Sequence, residues 1–278
     1  MPQLISCLSN SYGRFGLPAA IEHLPTVGIN YLEMPIRTEG VPSFFKEDPL
    51  VTSGSTEKEL EQIQQLLEKH HMQLSSCNIT SGNPLERDVV EITKKKLDIA
   101  AWFGVTLVVA GAGEAEEGEQ LQTLYSHLRE IGDYAAERNI TYCFETHPGI
   151  CESHYGMLRT MEELNHSHLK LNYDTGNIFY YNEGVDGEVA LAKVCQHVRH
   201  IHLKDTNGGY KEWYFPALGY GGAVDFVRVL QIMTDCGYKG PYSLEIEGIQ
   251  YELKPTLTLH KERIKDSIEH LGHCGYHE

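Results

Sequence analysis

Thr141-Tyr-Cys-Phe-Glu-Thr-His-Pro-Gly149 decides how the rest of the sequence is read. The run from Ile140 to Phe144 is apolar and rich in β-branched and aromatic residues; it delivers one carboxylate, Glu145, and breaks at Pro148-Gly149. Such a run bounded by a turn reads as a buried strand. A carboxylate at the mouth of a buried strand is costly unless a metal or partner charge compensates it. The acids at other strand ends therefore become informative.

The same unit recurs in both directions. Strand candidates at 4–8, 30–34, 73–79 and 105–110 precede the quoted stretch, and candidates at 169–174, 200–204 and 242–246 follow it. Helical patterns follow the strands, at 19–27, 56–71, 83–103, 116–138, 157–164, 185–197, 224–236 and 254–271. Thr56 with Glu59 resembles a capping box that opens one of these helices. The segment from Pro35 to Ser55 is long for a loop in a compact domain and carries Phe44 and Phe45, which suits a lid or binding loop. Strands alternating with helices, without a linker or composition break, predict an α/β fold: a single (β/α)8 TIM barrel over residues 1–278. Its active site belongs at the C-terminal ends of the strands. A doubly wound open sheet is the competing arrangement. No Gly-x-Gly-x-x-Gly follows the first strand, so its dinucleotide-binding version lacks support.

Composition narrows the partners. Hydrophobic residues make up 41% of the chain, ample for a core. Against 39 Asp and Glu stand 23 Lys and Arg, and the net charge of −16 repels phosphate backbones and anionic lipid. We therefore expect no nucleic-acid and no membrane partner. The N-terminus lacks a charged segment followed by an apolar one, and no stretch approaches the length of a membrane span. Seven scattered cysteines, Cys7, Cys77, Cys143, Cys151, Cys195, Cys236 and Cys274, read as reduced residues of a cytoplasmic protein.

Four consecutive strand ends carry metal-type ligands: Glu145, Asp174, His202 and Glu245, each about one β/α unit from the next. In a barrel these side chains converge. Three oxygens and one nitrogen suit a divalent ion, with Mn2+ favoured and Mg2+, Co2+ or Zn2+ as alternatives. Strand alternation puts His200, His202 and Lys204 on one face, with His200 a layer deeper as a hydrogen-bonded core residue. Glu245 and Glu247 also share a face, and Glu245 is the choice because it lies closer to the apolar strand body. The bland account is that acids at strand ends cap the following helices. Asp174, before Thr-Gly-Asn, could do so; His202 could not.

Phe144-Glu-Thr-His-Pro-Gly149, Tyr173-Asp-Thr-Gly-Asn177, His200-Ile-His-Leu-Lys-Asp205, Gly219-Tyr-Gly-Gly-Ala-Val-Asp-Phe226 and Tyr238-Lys-Gly-Pro-Tyr-Ser-Leu-Glu245 resemble segments of the sugar phosphate isomerase/epimerase superfamily, the xylose-isomerase-like TIM barrels. The resemblance covers essentially the whole chain. It implies one divalent metal held by Glu145, Asp174, His202 and Glu245, and an α-hydroxy carbonyl sugar or polyol as substrate. In the ketose 3-epimerases two metal-bound glutamates also move protons, so the resemblance gives Glu145 and Glu245 that catalytic role. Proton removal α to a carbonyl builds an enediolate that a metal stabilises. Return of the proton gives isomerisation or epimerisation, whereas loss of a β-hydroxyl gives dehydration; an inosose-dehydratase-like or 3-keto-sugar lyase is therefore the alternative reaction.

The substrate-binding candidates are His147, Glu152, Asn177, Lys204 and Trp213. His147 can contact substrate or stabilise its turn. Glu152 can replace a substrate-binding acid or remain a solvated loop charge. Asn177 stands where epimerases of the group often carry His. Lys204 can offset the carboxylates or bind substrate, and Trp213, with Tyr214 and Phe215, can stack on a sugar or serve as packing. The resemblance also implies dimers or tetramers. Endonuclease IV-like hydrolases of the superfamily need further histidines, including one at position 177, and a basic face, and this chain has neither. A non-catalytic binding barrel would show loss of metal residues, and all four are present. His270, His273, Cys274 and His277 have no zinc-site spacing and are expected at the surface.

Overall fold

Alternation within the strands sets the architecture. Cys7, Leu32, Met34, Cys77, Ile201, Leu203 and Leu244 belong to the hydrophobic core, and between them fall Ser6, Glu33, Ser76, His200, His202 and Ser243, all fully buried. A strand with one apolar and one polar face, both dry, fits a closed barrel whose interior carries a polar layer. The computed structural model, which describes residues 3–277, shows that barrel.

Its strands are β1 (Ile5–Leu8), β2 (Tyr31–Pro35), β3 (Gln73–Asn78), β4 (Leu107–Ala110), β5 (Thr141–Glu145), β6 (Leu169–Asp174), β7 (Val198–Leu203) and, after the two-residue β8 (Tyr214–Phe215), β9 (Tyr242–Leu244). Neighbours pair in parallel from β1 to β7, and β9 closes the ring between β7 and β1, with Ile201 and Ile5 both opposite Tyr242. A short antiparallel pair, β8 with β10 (Gly248–Ile249), lies outside the barrel. The connections carry helices α1 (Gly16–His23), α2 (Glu57–Lys69), α3 (Arg87–Trp102), α4 (Glu119–Ala136), α5 (His154–Leu164), α6 (Asn177–Tyr181), α7 (Gly187–Val194), α8 (Phe226–Asp235) and the closing α9 (Leu257–His273).

The expected capping box is present: Thr56 Oγ1 accepts from Glu59 N, and the Glu59 carboxylate accepts from Thr56 N. Boundaries moved where caps and prolines act. The first helix ends at His23 and continues as a 3-10 turn over Leu24–Val27, where Pro25 has no N–H to donate. Asn83 and Pro84 form a turn ahead of α3 rather than its first residues, with Asn83 Oδ1 accepting from Leu85 N. The segment after β2 folds back on itself through Arg37 N to Val51 O (2.9 Å) and Ser53 N to Arg37 O (2.8 Å).

One expectation is corrected. Cys195 and Cys236 form a disulfide, while Cys7, Cys77, Cys143, Cys151 and Cys274 are free. Cys195 follows α7 and Cys236 follows α8, and those neighbouring helices bring the two cysteines together; spacing along the sequence carries no trace of it. In the tail, His273 is exposed, but His270, Cys274 and His277 are partly buried, and His270 Nε2 lies 3.4 Å from Cys274 Sγ. No helix among the described residues is long and apolar enough to cross a membrane.

Candidate metal centre

Glu145 and Asp174 are the last residues of β5 and β6, His202 lies near the end of β7, and Glu245 directly follows β9. A bulge between Leu171 and Asn172 sets the register so that Asp174 pairs opposite His202. The four side chains each offer a ligand atom, all within 4.8 Å of one another, and all four are buried. His202 Nδ1 lies 3.0 Å from Glu245 Oε2, 3.5 Å from Glu145 Oε1 and 3.8 Å from Asp174 Oδ2.

Asp174 does two jobs. Its Oδ1 accepts from the backbone N–H groups of Gly176 (2.9 Å) and Asn177 (2.7 Å), closing the turn that leads into α6, while Oδ2 turns to the cluster. One oxygen of Asp174 thus serves the turn and the other faces the cluster. Lys204, just past β7, threads into the same space: its Nζ is 3.2 Å from Asp174 Oδ2, 3.0 Å from Glu245 Oε2 and 2.9 Å from Glu247 Oε2. A Cβ on Gly176 would come within 2.7 Å of the Lys204 stem, so glycine keeps that path open. Gly149, at the end of the strand-five turn, has φ 106°, and a Cβ there would sit 2.1 Å from the Gly113 carbonyl oxygen.

Burial and charge oppose each other here. Burial alone would raise Glu245, but Lys204 and His202 overcome it and hold that carboxyl well below its usual range. Burial pushes Asp174 up to about 8 and Glu247 up to about 7. Burial would lower His202, but Glu33 and Glu245 raise it well above an ordinary histidine. The cluster thus already gathers positive charge. Even so, Asp174 Oδ2 and Glu245 Oε2 are buried without an aligned hydrogen-bond donor among the described residues; the Lys204 and His202 nitrogens are near but not so directed. Orphaned carboxylate oxygens beside an imidazole nitrogen fit a hard divalent cation.

Glu145 and Glu245 open into a cavity of about 300 Å3, with Asp174 and His202 behind them, and its lining includes Arg37, Phe44, His147, Asn177, Lys204, Trp213 and Glu247. A larger depression of about 580 Å3 lies at the opposite barrel end, near Cys195, Arg199 and Cys236, remote from these acids; the smaller cavity is the one with chemistry.

Of the sequence candidates, His147 packs edge-on against Tyr181 at 5.6 Å. Asn177 ties the turn together, donating to Thr146 O (3.1 Å) and accepting from Lys204 Nζ (3.1 Å). Trp213 meets Phe44 across the mouth at 5.9 Å, bringing together the loops after β2 and β7. Glu152 is not among the cavity-lining residues; its carbonyl accepts from Asn182 Nδ2. Asp205 shapes the β7 loop, its carboxylate accepting from the N–H groups of Thr206, Gly219 and Gly221. Sequence reasoning passed over Arg37, which donates to Glu47 and Asn10, and Glu33, fully buried behind His202. A lone acid inside an otherwise apolar strand, Tyr31-Leu-Glu-Met-Pro35, was the available signal for Glu33.

A closed parallel barrel with converging acids and a histidine at the C-terminal ends of its strands defines a class: TIM barrels that place polar chemistry on that rim. More narrowly, the chain belongs to the xylose isomerase-like TIM barrel family, whose model matches residues 22–274. An inosose dehydratase of Geobacillus thermodenitrificans is 28% identical over 144 residues, 46% of this chain; the match spans about half (48%) of that relative's length. A xylose isomerase-like barrel from Mycobacterium smegmatis, solved with magnesium, superimposes with a TM-score of 0.74 at 17% identity, covering 98% of this chain and 97% of that one. A D-allulose 3-epimerase from a Methylomonas species, solved with D-allulose, gives 0.70 at 16% identity, with coverage of 98% and 97%. At such identities the likeness to the two structures shows the fold.

Proposed function

We propose that the chain is a divalent-metal-dependent, single-domain isomerase or epimerase of ketoses or keto-polyols, working by proton abstraction α to a carbonyl. The observation that carries this reading is the buried convergence of Glu145, Asp174, His202 and Glu245, the two glutamates lining a cavity, with Asp174 Oδ2 and Glu245 Oε2 left without a hydrogen-bond donor. These residues would hold the ion, with Mn2+ our first choice for a set of three oxygens and one nitrogen. A bound divalent ion supplies electrostatic stabilisation of negative charge developing on the substrate's oxygens.

The protein's own groups supply the rest. Glu145 and Glu245 lie on different strands, β5 and the end of β9, so one can take a proton from carbon and the other can return it. Lys204 balances the acids and, with Asn177, fixes their orientation. His147, Trp213 and Phe44 lie where a sugar ring would be enclosed. We also propose a homo-oligomer working in the cytoplasm, where the Cys195–Cys236 link is an exception among otherwise free thiols. A dehydratase is the second reading, favoured by the inosose dehydratase match and by an ammonium, Lys204 Nζ, standing in the cavity where a leaving hydroxyl would need a proton.

Metal analysis of purified protein, with a panel of ketoses and inososes turned over by wild type and Glu145→Gln, tests this. Wild type is expected to carry a divalent ion and to change optical rotation without new ultraviolet absorbance; an absorbing enone would favour the dehydratase. Glu145→Gln is expected to lose turnover by at least about 100-fold. Unchanged metal content and activity in the variant would refute the proposal.

A further inference from the structure

We propose that Glu33 is a positioning residue for His202: it fixes which ring nitrogen carries the proton and aims the other at the cation site. The proposal rests on the metal-dependent reading above. Glu33 sits in β2 at a register shift between Leu32 and Glu33, a bulge of the kind that re-aims a side chain. It is fully buried, and its two oxygens lie 3.1 and 3.0 Å from His202 Nε2. Among the described residues its ion-pair partners are His202 and His200, the latter at 3.5 Å.

The donor inventory settles the direction. A carboxylate only accepts, so the shared proton is on His202 Nε2, which donates to Glu33. The Nδ1 on the other side of the ring faces Glu145, Asp174 and Glu245, and its lone pair serves a cation there once the proton on that atom is displaced. A lone pair facing three carboxylates is repelled unless a cation lies between them. The ring is held from a second side as well. Ser76 Oγ bonds His200 Nε2 at 2.9 Å, His200 Nδ1 bonds Asn172 Oδ1 at 2.9 Å, and the Asn172 amide nitrogen lies 3.0 Å from His202 Nδ1. His200 and Asn172 thus brace the ring on the side away from Glu33, while the Glu33 carboxylate alone sets the proton on Nε2. Histidine ligands commonly take such support from a carboxylate, and its loss typically weakens metal binding by about 10–100-fold.

Glu33→Gln keeps the side chain's size and removes the charge. Titration of metal-free protein with Mn2+ and Co2+ is expected to show affinity lowered by about 10–100-fold in the variant. The Co2+ absorption spectrum should be altered, with both metal-free forms folded at the titration temperature by circular dichroism. Variant affinity and spectrum equal to wild type would overturn the assignment while leaving the metal-dependent reading intact. Wild type that binds neither ion would overturn both. A measurement independent of the variant's folding is nitrogen NMR of 15N-histidine-labelled wild type loaded with diamagnetic Mg2+. His202 is expected to be protonated on Nε2, and a proton on Nδ1 instead overturns the proposal.

Discussion

Lys204 shows how one side chain can set the charge balance of a site. It is 1% exposed and bridges Asp174, Glu245 and Glu247, so removing it leaves buried carboxylates without their ammonium. Breaking a buried ionic cluster from one side costs about 3–5 kcal/mol. Lys204→Met is therefore expected to lose about that much stability in chelator-treated protein and to recover much of it when Mn2+ is added, as read by denaturant unfolding. An equal loss with and without the ion would show that Lys204 and the ion do not share the same carboxylates. Strand parity was enough to place His202 and Lys204 inside from the sequence. It could not reveal the split roles of the two Asp174 oxygens, because one of them is engaged by the backbone turn at Gly176 and Asn177.

The strands and most helices were legible because each satisfies its own period. The five-residue α6 was missed because it is too short for one and begins from a turn that Asp174 Oδ1 closes by accepting from Asn177 N–H. In α3, Lys96 breaks the pattern instead: it is fully buried, and its Nζ donates to Thr80 O at 2.8 Å, at the end of β3. Burial, helped by Arg37, lowers it to about 7. The unfolded chain holds this proton up to about pH 10.4, so between pH 7 and 10.4 the unfolded state binds more protons, and stability rises with pH. Lys96→Met should flatten that rise relative to wild type in unfolding measured across this window. An unchanged slope would mean that Lys96 is not desolvated as its position indicates.

Closure of the ring depends on pairings between the first and last strands, β1 with β9, that no local pattern encodes. Counting eight β/α units supplied it, since that number of parallel strands closes into a barrel. The Cys195–Cys236 link had no such rule behind it. It joins positions 41 apart at the strands' N-terminal end. Replacing both with Ser is expected to cost about 2–4 kcal/mol in unfolding while leaving metal affinity and turnover as in wild type. A change in metal affinity would mean that the two ends of the barrel communicate. If they do not, what ties the helices together and what meets the substrate are separate inheritances. The rim loops can then be rewritten over generations, taking up new molecules in turn, around an unchanged grip on the ion.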